Sequence, residues 1–235
     1  MQIHEGHRQR LRRRFRAEGL DNFDERHVLE LLLFYALPRV DTAPIAQALL
    51  DHFQSLPRVL EASAEELERV PGVGPNISTL LTLTTQVGKY YRTHQNPPGQ
   101  ILNTVDKCGK YMLPYFHGQR EERVYLLCLD GKCKALCCRE VGMGSVNAAS
   151  VSVRRVVEMA LSAGASSAVL AHNHPSGLAI PSGEDVETTL RLDEALDCVE
   201  IQLVDHFVVA GEDFVSIVQS RDYQLGRIRR ADRRI

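Results

Sequence analysis

The stretch Ala171-His172-Asn173-His174-Pro175-Ser176-Gly177, followed shortly by Pro181-Ser182-Gly183-Glu184-Asp185, narrows the possible folds more than any other part of the sequence. Ahead of it, Ser166-Ser167-Ala168-Val169-Leu170-Ala171 is a short apolar run of the kind that makes a buried strand. Behind it, residues 184–199 carry Val186, Leu190, Leu192 and Leu196 at roughly helical spacing, with Ser182 at their start. Pro175, Gly177 and Pro181 require a sharp turn between the two. A strand, a turn and a helix therefore follow in order. Two histidines leave the end of the strand, and a serine and an aspartate sit on the first helical turn. On an extended strand residues two apart share a side, so His172 and His174 point together and Asn173 points away.

Two imidazoles and a carboxylate gathered at a sheet edge are zinc ligands by type. Zn2+ accepts imidazole nitrogen and carboxylate oxygen, and a catalytic site uses three protein ligands with a fourth position for water. Each residue also has a plainer role. Ser182-x-x-Asp185 is equally a helix-capping pattern, and a single strand histidine is usually a hydrogen-bonded core residue. Two histidines at this spacing beside that cap favour the metal.

The rest of the chain divides in two. Residues 1–92 read as helical. Leu11 and Phe15 stand four apart among arginines in residues 4–17, and Gly19 stops that helix. A second stretch begins at Asp24 or Glu25, runs through Leu29 and Leu33 to Tyr35, and ends near Pro38. A third runs from Asp41-Thr42-Ala43-Pro44 to Phe53, where Ser55-Leu56-Pro57 reads as a break. Ser63-Ala64-Glu65-Glu66 reads as a capping box. At residues 70–78, Val70-Pro71-Gly72-Val73-Gly74-Pro75 is a glycine hairpin between helices and resembles the helix-hairpin-helix motif. There Gly72 and Gly74 would let backbone N–H groups approach a nucleic-acid phosphate, although Asn76 stands where a DNA-binding version often has a basic residue. Residues 93–100, with Pro97-Pro98-Gly99, read as the linker.

From residue 101 strands and helices alternate. A helix is expected over 105–115, a strand over 122–129, a turn at Asp130-Gly131 and a partner strand over 133–141. A helix over 152–161, the histidine strand, and strands over 200–209 and 214–218 follow. This order predicts a mixed α/β sheet with packed helices over residues 101–235.

Composition sets limits on function. The chain has 235 residues, 44% hydrophobic and 25% charged, which is ordinary for a globular protein. It contains no apolar run approaching the roughly 18 residues of a membrane helix, and its start is charged, unlike a secretory signal. A cytoplasmic protein without membrane partners is expected. The net charge of −2 conceals basic ends: Arg8, Arg10, Arg12, Arg13, Arg14 and Arg16 at one, and Arg221, Arg227, Arg229, Arg230, Arg233 and Arg234 at the other. Such ends are either nucleic-acid arms or solvated helix surface and tail. The six cysteines lack CxxC spacing and read as reduced, buried strand residues.

The spacing His172-x-His174-Pro175 … Ser182-x-x-Asp185 resembles the metal signature of the JAB/MPN (JAMM) metallopeptidases. The fuller Ala-His-Asn-His-Pro-Ser-Gly string with Val204-Asp205-His206 is similar to the RadC branch. Gly6-His7-Arg8, residues 29–35, Pro38-Arg39-Val40-Asp41-Thr42 and the hairpin at Val70 extend the likeness to nearly the whole chain. The resemblance implies a helical domain joined to a JAB/MPN domain of cytidine-deaminase-like fold. It implies that His172, His174 and Asp185 hold Zn2+, and that Ser182 donates to the developing oxyanion. The family's general base is a glutamate on an upstream strand followed by spaced glycines. Arg139-Glu140-Val141-Gly142-Met143-Gly144 fits and makes Glu140 the candidate over Glu158, Glu184 and Glu187. Where the family often has His-Pro-Arg-Glu, this chain has Ser152-Val153-Arg154-Arg155. Asp205 and His206 are either groups that orient the ligands or ordinary strand residues.

Two functions follow as expectations. One is zinc hydrolysis of an amide, peptide or isopeptide bond in a protein or peptide substrate. The other is a DNA-associated repair or recombination role through the hairpin and basic ends. Zinc deaminases are excluded, because they need His-x-Glu and Pro-Cys-x-x-Cys.

Overall fold

The first ninety residues alternate apolar stripes with capping residues, and in the computed structural model they form short helices. The structure describes residues 2–95, 99–143 and 151–231. The chain divides into two units, Met1–Tyr90 and Tyr91–Ile235. In the first, α1 (Gln2–Glu18), α2 (Glu25–Ala36), α3 (Ala43–Phe53), α4 (Leu56–Glu61), α5 (Ala64–Leu67) and α6 (Pro75–His94) follow in order. Their core joins Leu29 and Leu33 of α2, Leu49 of α3, Val59, Leu67, and Ile77 and Leu81 of α6.

Local chemistry explains the ends. Asp24 caps α2 by accepting from His27 N at 2.8 Å. The Ser63 box is formed in both directions, Glu66 N to Ser63 Oγ at 3.2 Å and Ser63 N to Glu66 Oε2 at 2.8 Å. The expected break at Ser55-Leu56-Pro57 is instead the start of α4. Ser55 caps it, and Pro57 lies in its first turn, where a missing N–H costs nothing. The segment read as the start of the linker is partly helical, since α6 continues to His94; residues 96–98 lie outside the described residues.

Gly6-His7-Arg8 does structural work in this unit. Buried Arg8 donates to the carbonyls of Leu37, Pro38 and Val40 just past α2, and its guanidinium lies over the Phe34 ring. His7 and Arg26 both reach the fully buried Glu30 carboxylate, at 2.8 and 2.9 Å. Arg12 lies over Phe34 and Tyr35, and Arg14 over Phe23. Half of the N-terminal arginine cluster is therefore committed to packing, and Arg10, Arg13 and Arg16 are the exposed members.

In the second unit α7 (Val105–Met112) runs into a 3-10 turn at Leu113–Phe116 and precedes β1 (Arg123–Leu129) and β2 (Ala135–Met143). Then come α8 (Val153–Ser162), β3 (Ser167–Asn173), α9 (Gly183–Asp197), β4 (Gln202–Ala210), β5 (Asp213–Ser216) and α10 (Arg221–Ala231). The described strands form one sheet in the order β2-β1-β3-β4-β5, with β3 and β4 parallel and the other pairs antiparallel. This is the mixed sheet that the sequence predicts, and α9 is the crossover between its parallel strands.

Strand alternation sorts the sheet into two faces. Val124, Leu126 and Cys128 of β1 and Ala168 and Leu170 of β3 pack with α8 and α9 residues such as Val156, Ala160, Leu192 and Leu196. Tyr125, Leu127 and Leu129 of β1 and Val169 and Ala171 of β3 pack on the opposite face against Cys108, Met112 and Phe116. Ser152, at the departure from the family pattern, caps α8 by accepting from Arg155 N at 3.3 Å, and Arg154 pairs with Glu158.

The last helix is not apparent in the sequence because α10 is strongly polar. Buried Tyr223 anchors it, donating to Asp193 Oδ2 of α9 at 2.8 Å. Arg227 pairs with Asp193, and Arg230 with Glu187 and Glu194. These two arginines of the basic C-terminal run thus serve helix packing; Arg233 and Arg234 lie outside the described residues. Among the described residues no helix is long and apolar enough to cross a membrane.

Candidate metal centre

Every residue of β3 is buried, so its alternation decides what each side chain meets. His172 follows Leu170 on the face covered by α9, and Asp185 on the first turn of that helix comes to meet it. His172 is fully buried, Asp185 nearly so, and His174, just past the strand, is partly exposed. The three residues form one group whose ligand atoms all lie within 4.8 Å of one another.

Ser182 holds the carboxylate in place. Its backbone N–H and its hydroxyl both donate to Asp185 Oδ2 at 2.7 Å, and its oxygen accepts from Asp185 N at 3.1 Å. The capping box and the metal ligand are thus the same pair of residues. The hydroxyl of Ser182 is directed at Asp185 in this structure, so it holds the carboxylate of the candidate ligand.

The hydrogen-bond network fixes the histidine tautomers. Thr189 donates its hydroxyl proton to the Asp185 carbonyl at 2.6 Å, so its oxygen accepts from His206 Nδ1 at 2.6 Å. His206 Nε2 is then an acceptor and takes a proton from His172 Nδ1 at 2.8 Å. That leaves a lone pair on His172 Nε2. His174 Nδ1 donates to the Leu178 carbonyl at 3.1 Å, which leaves a lone pair on His174 Nε2 as well. The two lone pairs face each other at 3.1 Å. Asp185 Oδ1 stands 3.2 Å from His172 Nε2, and Oδ2 stands 3.7 Å from His174 Nε2. These four electron-rich atoms, two imidazole nitrogens and both oxygens of one carboxylate, repel one another unless a cation lies among them.

The spacing suits such a cation. Tetrahedral ligand bonds of roughly 2.0–2.1 Å place ligand atoms about 3.3 Å apart, and the 3.1 Å between the two Nε2 atoms and the 3.2 Å from His172 Nε2 to Asp185 Oδ1 lie close to that value. His206 is the residue that the sequence left undecided. It is fully buried and bonded directly to the ligand His172, so it acts as an orienting group. Asp205 accepts from His206 N, Ser216 Oγ and Val218 N, and so fixes the strand behind it.

Burial keeps the imidazoles of His172 and His206 neutral. It pushes His172 down to about 4, with His174 adding to the shift and Asp185 opposing it, and it holds His206 well below the ordinary histidine range. The sign for stability follows. Between about 6.5 and 4 the unfolded chain binds a proton at His172 that the folded chain refuses, so stability is present above about 6.5 and is lost as pH falls. Chelator-treated protein is expected to be about 2 kcal/mol less stable to denaturant at pH 5 than at pH 7.5 from His172 alone. A flat profile would mean that the folded site accepts the proton.

Glu140, the expected general base, is not brought to this centre. It lies on β2 opposite Tyr125, accepts from Tyr125 OH at 3.3 Å and pairs with Arg123 at 3.1 Å. Tyr125 and Ala171 share the face that packs on α7, whereas His172 faces α9. Glu140 therefore lies across the sheet from the ligands. Gly144, part of the pattern that suggested it, lies outside the described residues.

Glu122 is the carboxylate that the sequence analysis missed. Two positions before Val124, which pairs with His172, it falls on the ligand face next to the register position of His174. Its Oε2 is buried, with no hydrogen-bond partner among the described residues. Buried Asn173 clasps the backbone on both sides of it, donating to Glu121 O at 3.1 Å and accepting from Arg123 N at 2.8 Å. A buried carboxylate oxygen with no partner among the described residues, on a backbone held this firmly, is a candidate for chemistry at the site.

In the hairpin of residues 70–78, Gly72 has φ of +88° and admits Ile45 beside it. A Cβ at Gly74 would meet nothing within 4 Å, and the Gly74 carbonyl accepts from Ile77 N and Ser78 N at the start of α6.

Comparison with known proteins agrees with the fold. Residues 102–223 match the model of the RadC-like JAB domain. A UPF0758 protein of Fusobacterium nucleatum is 30% identical over 92% of this chain and 96% of its own length. UPF0758 proteins of Ruegeria pomeroyi and Stenotrophomonas maltophilia are 33% and 34% identical, over 86% and 89% of this chain and 91% and 90% of their own lengths. With its sheet order, its His-His-Asp group and these relatives in agreement, the chain belongs to the RadC-like JAB domain family.

Proposed function

We propose that this protein is a zinc-dependent hydrolase that cleaves an amide bond, peptide or isopeptide. The observation that carries this reading is the convergence of two imidazole lone pairs and one carboxylate at tetrahedral spacing. The donor set of two nitrogens and one oxygen suits zinc, and three protein ligands fit a catalytic site better than a structural one. When bound, zinc supplies the Lewis acidity that polarises a carbonyl and acidifies water.

The protein's own residues supply the rest. Glu122 takes a proton at Oε2 from the attacking water and returns it to the leaving amine. Ser182 and His206 hold Asp185 and His172 in position, and Asn173 holds the segment that carries Glu122. The test is metal analysis of the full chain with a screen of peptide and isopeptide substrates. About one zinc per chain, with cleavage lost to chelator and restored by zinc, is expected. A chain that stays metal-free in zinc-containing buffer would sink the reading.

A second reading, phosphate binding by the hairpin, is favoured by the open approach at Gly74 beside the start of α6. Gly74→Ala is expected to weaken duplex DNA binding about tenfold, roughly the worth of one hydrogen bond to a charged group, with melting temperature unchanged. Equal binding by the variant would remove the hairpin from that role.

A further inference from the structure

The described structure contains no disulfide, and its cysteines are placed unevenly. Cys108 is buried on α7 and Cys198 is exposed after α9, so the expectation of buried strand residues fits neither in full. Cys128 is fully buried on β1. Cys137 and Cys138 are half-buried neighbours on β2, which is an edge strand of the sheet.

Cys128 and Cys137 are direct cross-strand partners in the antiparallel β1–β2 ladder. Both belong to the face covered by α8 and α9, and the two thiols are within hydrogen-bonding reach of each other. Directly opposed residues in such a ladder have Cα atoms about 4.5–5.5 Å apart, inside the roughly 4.4–6.8 Å that a disulfide accepts. Cys138 pairs with Leu127 and belongs to the other face, so it cannot substitute for Cys137. The bulge that follows Cys128 lets the strands adjust beside the pair.

We propose that Cys128 and Cys137 are a redox-active pair that forms a cross-strand disulfide on reaction with a small-molecule disulfide. Cys137 meets the oxidant first, being half-buried on an edge strand where Cys128 is fully buried. Its thiolate attacks one sulfur of the small disulfide, forms a mixed disulfide and expels one small thiolate. Cys128 then gives up its proton and attacks the Cys137 sulfur, expelling the second small thiolate. Two protein thiols lose two electrons in all, and one small disulfide becomes two thiols. Burial pushes the Cys128 thiol up to about 12, so proximity to Cys137 must drive the second step. Exposed Cys198 has no thiol partner in the structure and retains any adduct it acquires.

The test treats the full chain with oxidised glutathione, alkylates the remaining thiols and maps tryptic peptides by mass spectrometry. Cleavage after Arg123, Lys132, Lys134 and Arg139 puts Cys128 and Cys137 on separate peptides. The expected result is a Cys128–Cys137 cross-linked peptide in most chains, unchanged in Cys138→Ser, absent in Cys137→Ser, with a glutathione adduct at Cys198. A lasting glutathione adduct at Cys137 with Cys128 alkylated would overturn the proposal. So would a cross-link through Cys138, or an unreacted Cys137 in chains whose Cys198 is fully modified.

Discussion

His172→Ala is expected to weaken zinc binding by a hundred- to a thousandfold, read by competition with a chromophoric chelator. Zinc bound at a protein site is worth roughly 10–16 kcal/mol, so one of four ligands carries about 3 kcal/mol. The loss should be large here because His172 is the deepest ligand and touches both of the others, at 3.1 Å and 3.2 Å. His206→Ala leaves every ligand in place and removes the acceptor that keeps the His172 proton on Nδ1. A loss of about 10–100-fold is expected for it, the usual effect of removing a group that orients a ligand. The order of the two variants is the informative result. If His206→Ala bound zinc like the unaltered chain, the buried relay from Thr189 through His206 to His172 would have no part in holding the metal. If His172→Ala also bound zinc unchanged, the centre would lie elsewhere. Thermal melting of the metal-free variants separates loss of the site from loss of the fold.

The extent to which these features can be read in the sequence follows from how far apart the partners lie. His172, His174, Ser182 and Asp185 are legible because a strand end and a helix start place them within one turn of chain, and spacing alone gives their relation. The helix caps at Asp24 and Ser63 are legible for the same reason. Ser55-Leu56-Pro57 misleads because proline both ends helices and begins them, and only the Ser55 cap distinguishes the two cases. His206 is 34 residues from His172, and its role appears only when β4 lies parallel beside β3. Arg8 reaches carbonyls about thirty residues away, which gives a run of arginines the look of a charged arm. Glu140 shows the limit of a local pattern. The residues around it match the family pattern, but which face of the sheet a β2 residue occupies depends on its pairing with β1. That pairing sets Glu140 opposite Tyr125. A slip of one residue moves a side chain across the sheet, and no local pattern reports it.

The same register argument makes the outcome of exchanging the two glutamates specific. Glu122→Gln is expected to lower turnover by about a hundred- to ten-thousandfold, the range for loss of a general base, while zinc content and melting temperature stay as they were. Glutamine keeps the shape and the half-buried position of the side chain, and the Asn173 clasp on residues 121–123 is made by backbone groups that the substitution leaves intact. The loss should fall on kcat rather than KM. Glu140→Gln keeps an acceptor for Tyr125 and loses an ion pair with Arg123 that is partly open to solvent. Such pairs are worth at most about 1 kcal/mol, so its turnover should remain within a few-fold of the unaltered chain. If Glu140→Gln were inactive and Glu122→Gln active, the proton would be moving on the α7 side of the sheet, away from Asp185 and both imidazoles. In the sheet as paired here, β1 and β3 lie between the face that carries Glu140 and the face that carries the His172 side chain, along the register from Val124–His172 to Leu129–Ser167.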